Sequence, residues 1–168
     1  MQEHSTNASH REKLIEHIFV GELLKHAWQK QEYGLEVAKP EVDNAGYDLI
    51  LEANGTLRHV QLKSSFTGAT TASQKIHLAL ATKPSGCVIW TYFNPESLIL
   101  GPFLYFGAEP GHPLPDISQH KIATHTKGDS QGTKAERPNI RVINKGEFTP
   151  LETIDQLYHA LFGPDRLC

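Results

Sequence analysis

Cysteine is nearly missing from this chain. Two occur in 168 residues, Cys87 and Cys168, and their spacing suits neither a zinc site nor a disulfide framework. Long apolar runs are missing too. No stretch approaches the roughly 20 residues a membrane helix needs. The opening MQEHSTNASHREK lacks the apolar centre of a leader peptide, so the expected setting is the cytoplasm, with no membrane partner. Neither a GxxxxGK loop nor a GxSxG turn is present, which removes the P-loop and nucleophile-elbow chemistries. Ten histidines are scattered, and His112, His120 and His125, which share one loop, have no metal-ligand spacing. Net positive charge is lacking as well, at −3. The deficit is uneven, however. Between Gln119 and Lys145 six basic residues face two acidic ones, a net +4, enough for a local surface that tracks phosphates.

What is present reads as one domain over 1–168 with a real core. Ser9 and Glu12 in SHRE predict a capping box for a helix through REKLIEHIFVGELLKHAWQKQ, with Gly34 as a stop. Leu35 to Lys39 reads as a short strand. Asn54-Gly55, between two strand patterns over Tyr47–Ala53 and Thr56–Ser65, predicts a two-residue hairpin. TASQKIHLALAT reads as a second helix, with Thr71 and Gln74 as its capping box. GCVIWTYF and SLILGPFLYFG read as strands. A long loop over about 107–138 follows, then a strand in NIRVINK, and a helix started by Thr149-Pro150 and stopped by Gly163. The expected class is α/β: a sheet of mixed direction flanked by helices.

The hairpin register carries the chemistry. With Asn54-Gly55 as the turn, Asp48 stands opposite Gln61 and shares its face. Lys63, two residues on, lies on that face and diagonal to Asp48. Leu49, Leu51, Val60 and Leu62 point to the other face and fill a core. On a helical wheel Glu22 falls among Ile15, Ile18 and Phe19, inside the apolar stripe, where a carboxylate needs a partner. Glu16 is its rival, about 120° away. Two carboxylates and an amide carbonyl make an oxygen set that suits Mg²⁺ or Mn²⁺. A lysine beside them would orient a nucleophile and offset charge on a phosphate.

Asp48, the short hairpin and VQLKSS, preceded by a helix with an inward Glu, resemble the PD-(D/E)xK nuclease superfamily over roughly Glu22 to Trp90. The resemblance implies a restriction-endonuclease-like fold and a metal-dependent DNA endonuclease. By the same resemblance Asp48 is the main metal ligand, Lys63 the catalytic lysine, Glu22 the helix-borne acid, and the Leu62 carbonyl a further ligand. Two positions depart from the pattern: Tyr47 stands where proline is usual, and Gln61 where an acid is usual. Inactive relatives also lose motif residues, so a binding module on the same fold stays open. DNA is the expected partner. Ser64, Ser65, Gln74, Lys75, Lys121, Lys127, Lys134 and Arg137 are the expected contacts, and a homodimer is left open.

Overall fold

The computed structural model describes residues 7–42, 45–125, 132 and 134–164; Lys127 and Cys168 lie outside them. Asn54 and Gly55 both take positive φ, 54° and 73°, as a tight hairpin turn demands. The turn joins β2 (Leu49–Ala53) to β3 (Thr56–Phe66), in the expected register from Ala53↔Thr56 to Leu49↔Val60. Strand β3 outruns its partner. On its other side it pairs in parallel with β5 (Gly86–Phe93), from His59↔Gly86 to Phe66↔Phe93. With β1 (Glu36–Ala38), β6 (Leu100–Gly107) and β9 (Thr149–Leu151) they form a mixed sheet, in the order β1-β2-β3-β5-β6-β9.

Two cores follow from the alternation of side chains across this sheet. Helices α1 (Ala8–Gln29) and α2 (Ile154–Phe162) cover one face. There Phe19, Leu23, Leu157 and Leu161 pack on Leu49, Leu51, Val60 and Ile89. The opposite face, with Val88, Trp90, Leu104 and Phe106, is covered by Ile76, Leu114, Ile117, Ile143 and Phe148. Ile76 and Ile143 belong to a second, antiparallel sheet of β4 (Ser73–His77), β8 (Glu136–Asn144) and β7 (Ile122–Thr124), in the order β4-β8-β7. The architecture is mixed α/β, and both α-helices among the described residues lie on the same face.

The helix expected over TASQKIHLALAT is therefore strand β4 followed by a 3₁₀ turn, Leu78–Thr82. Ile76 and Leu80 are its two fully buried residues. Standing four apart, they mimic a helical repeat. In fact Ile76 lies in a strand paired along its length with β8, and the His77 ring, accepting from the Ala79 N–H at 3.0 Å, starts the turn that brings Leu80 inward. Other boundaries move for local reasons. Helix α1 starts after Asn7, with no capping box at Ser9. It ends at Gln29, before Gly34, as Gln31 takes φ 61°. Thr149-Pro150 does not open α2 but lies in edge strand β9, where a missing N–H is tolerated. Thr153 caps instead, accepting from the Gln156 N–H at 3.1 Å. The expected long loop contains β7, and β8 begins at Glu136. Pro138 sits in the register shift between Ile122↔Arg141 and Ala123↔Arg137, where a proline does least harm.

Candidate active site

The site is built where β2 begins and β3 continues without it. Asp48 N donates to Val60 O at 2.8 Å, placing the residue at the strand entrance. Its Oδ2 accepts from Leu62 N at 2.7 Å. The carboxylate thus takes the place that a β2 backbone carbonyl would fill. In a strand the N–H and C=O of one residue point to the same side, so the Leu62 carbonyl faces the edge that Asp48 occupies. A cleft of about 490 Å³ opens there, lined by Asp48, Leu62, Lys63 and Ser64, by Gln74 from β4, and by Arg11, Glu12, Lys13, Ile15 and Glu16 from α1.

Gln61 stands behind this wall rather than on it. Its side-chain oxygen is sealed from solvent and accepts no hydrogen bond from the described residues. His59, two residues earlier on the same face, repeats the pattern at Nδ1. Its ring meets Tyr47 edge-on at 4.9 Å. Burial first, and then Lys83, lower its pKa below the usual 6.5.

The α1 carboxylate that lies at the Asp48 cleft is Glu16, whereas the expected Glu22 is not at it. Glu22 faces a separate cleft with Ile18, Leu98 and Glu152, and pairs with Lys25 at 2.6 Å. Glu16 is buried against the Asp48 cleft. It accepts from Lys13 Nζ at 3.2 Å and from Lys39 Nζ. Burial pushes its carboxyl up, but the hydrogen bonds from Lys39 and Lys13 outweigh that and hold it below the usual 4.5. A depressed folded-state pKa contributes stability above the unfolded value and loses it as pH falls through the folded one. Glu16→Gln should therefore lack part of the acid destabilisation that wild type shows below pH 4.5, measured by urea unfolding across that range. Glu22→Gln, which removes an exposed ion pair with Lys25 worth about 0–1 kcal/mol, should leave activity within about twofold of wild type.

The expected nucleic-acid contacts divide. Ser64 and Gln74 line the cleft. Ser65 is buried, and its Oγ accepts from Trp90 Nε1 at 2.9 Å, so it holds the core rather than a ligand. Lys75 donates across the small sheet to Thr124 O at 3.1 Å. Lys121, Lys134 and Arg137 are exposed around β7 and β8; Lys127 is outside the described residues. The sequence reading missed Arg11, Glu12 and Lys13. The signal lay in SHREK, where residues taken only as a helix start are also the rim of the cleft.

Counting Arg11, Lys13 and Lys63 against Glu12, Glu16 and Asp48, the lining is balanced in charge. A divalent cation would leave it at about +2, a sign that favours phosphate. Among the described residues there is no group of three or more His, Cys, Asp or Glu able to hold a metal. No described helix is long and apolar enough to cross a membrane. No family model and no curated protein matches the chain. A solved structure, that of a bacterial homing endonuclease, is similar to it at 21% identity and a TM-score of 0.32, covering 73% of this chain and 85% of that one.

Proposed function

We propose that this protein is a metal-dependent nuclease of the PD-(D/E)xK type, with a restriction-endonuclease-like core, that hydrolyses phosphodiester bonds in DNA. The observation that carries the reading is the Leu62 N to Asp48 Oδ2 bond. It fixes an acid at the bare edge of β3, in one cleft with Lys63. The donor set fits a hard cation. Asp48 supplies a charged oxygen at the cleft and the Leu62 carbonyl a neutral one, a pair that Mg²⁺ or Mn²⁺ would accept with waters completing its shell; Gln61, behind the wall, would join only by turning its buried oxygen toward them. When bound, the ion supplies Lewis-acid polarisation of the phosphoryl group and a more acidic water.

The chain's own residues do the rest. Lys63 holds the attacking water near the phosphate and offsets charge that develops on it. Glu16 keeps Lys13 at the cleft through their 3.2 Å bond, and Arg11 and Lys13 steer the backbone of the substrate inward. The exposed Lys121, Lys134 and Arg137 extend the basic surface on the small sheet.

One observation favours a second reading. The lack of a three-carboxylate cluster among the described residues suits a nuclease-like module that binds nucleic acid without cutting it. Nicking of supercoiled plasmid by the full chain separates the two. Cleavage in Mg²⁺ or Mn²⁺ that stops with EDTA and returns with excess Mn²⁺ is the expected result. Retention of DNA without nicking in either ion would favour the binding module.

A further inference from the structure

Phe66 ends β3 and is 41% exposed, although its register partner Phe93 is 1% exposed. The core therefore stops at Phe93, and the Phe66 ring stands beyond it. Alternation puts Leu62, Ser64 and Phe66 on one side of the strand. Leu62 and Ser64 line the cleft, so the line they begin runs out to a bare aromatic face roughly 6.6 Å past Ser64, two strand residues on. Trp28 and Tyr33, the other exposed aromatics among the described residues, meet edge-on at 5.2 Å near the far end of α1. Phe66 is thus the exposed aromatic on the strand of the cleft.

Its backbone is well held. Thr67 N and Oγ1 both donate to Phe93 O, at 2.9 and 3.2 Å, and Ala69 N donates to Phe66 O at 3.0 Å. The turn that follows is open, since a Cβ on Gly68 would meet nothing within 4 Å. A fixed aromatic face with open space beside it is what an unpaired base stacks on. A base inside a duplex cannot use it, because both of its faces are already stacked.

Resting on the nuclease reading above, we infer that Phe66 is a stacking platform for an unpaired base next to the phosphate held in the cleft. The preferred substrate class is then DNA with a splayed or single-stranded segment, rather than continuous duplex. One oligonucleotide sequence made as blunt duplex, as a fork with unpaired arms, and as single strand tests this, with 2-aminopurine in the unpaired arm. Cleavage in Mn²⁺ and fluorescence are both read, with Phe66→Ala, Phe66→Trp and Asp48→Asn beside wild type. Wild type should cut the fork faster than the blunt duplex and quench the probe. Phe66→Ala should lose roughly 5- to 100-fold on the fork, stay within about twofold on the duplex, and lose the quench. Phe66→Trp should restore both. Cleavage that needs Asp48 but ignores Phe66, or falls equally on all three substrates, overturns the platform and leaves the nuclease standing. With neither cleavage nor quenching, both fall.

Discussion

Asp48→Asn is expected to lower DNA cleavage by about 10³-fold while leaving the thermal midpoint within about 2 °C of wild type. The two halves of that expectation have separate causes. Asn keeps an oxygen where Asp48 Oδ2 accepts from Leu62 N, so the strand entrance stays closed and the fold loses at most a charge-assisted bond. It removes the negative charge that the cation requires, and metal-assisted hydrolysis depends on that charge. Asp48→Ala is the contrasting variant: it abolishes activity too, but orphans the Leu62 N–H and costs about 1–3 kcal/mol. Lys63→Met keeps the alkyl stem that lines the cleft and discards the ammonium. A loss of about 10²–10³ in rate is expected, the usual effect of removing one preorganised stabiliser of transition-state charge. Plasmid nicking gives the rates and circular dichroism melting gives the midpoints. Unchanged cleavage in both Asp48→Asn and Lys63→Met would refute the assignment of the cleft.

The choice between Glu16 and Glu22 shows where the sequence stops informing. Measured from Phe19, Glu16 lies at about +60° and Glu22 at about −60° on the wheel of α1. They flank the buried stripe almost symmetrically. Amphipathic spacing therefore admits both, and only the docking of the helix on the sheet separates them. That docking turns the Glu16 flank toward the entrance of β2 and the Glu22 flank toward the β5–β6 turn. Six residues of rise add roughly 9 Å between them along the axis. The hairpin was legible because its information is local: Asn-Gly sets the turn, and the turn sets which residues share a face. The partnership of β3 with β5, the second sheet over Trp90, and the bare edge past Val60 are all long-range. No window of sequence contains them. The misread β4 makes the same point, since Ile76 and Leu80 satisfy a helical spacing while the pairing with β8, from Ser73↔Asn144 to His77↔Ile140 far along the chain, decides the outcome.

Arg58 is the largest buried commitment that the sequence conceals, and its replacement should be the most destabilising single change. The residue lies in a strand at an inward position where an apolar side chain is the default, and it is 0% exposed. Its Nε donates to Leu161 O at 2.8 Å, and Nη2 to Ala160 O at 3.0 Å and Ala108 O at 3.1 Å. Its Nη1 donates to Ser85 Oγ at 3.1 Å. Two of these acceptors are carbonyls of the last turn of α2, where a cation also meets the negative end of the helix dipole. The nearby acids do not supply a counter-charge. Burial pushes the Cys87 thiol up to about 12 and raises the Tyr105 hydroxyl above its usual 10.0, against the pull of Arg58 itself. Replacing Arg58 with Met would recover the several kcal/mol spent desolvating a guanidinium, but it would take the donor from Leu161 O, Ala160 O and Ser85 Oγ, at about 1–3 kcal/mol each, and unpin α2 from β3, while Ala108 O keeps the Tyr105 hydroxyl at 3.0 Å. The second effect wins, for a net loss of about 3–5 kcal/mol. At about 2–4 °C per kcal/mol for a chain of this size, the midpoint should fall by roughly 6–20 °C. Arg58→Lys keeps the charge but lacks the fork that reaches carbonyls on both sides, so it should fall between Met and wild type. Thermal unfolding followed by circular dichroism at neutral pH measures all three. A midpoint for Arg58→Met within 2 °C of wild type would mean that those carbonyls find other donors, and that the clamp between β3 and the C-terminal end of α2 contributes little to holding the helix over the core.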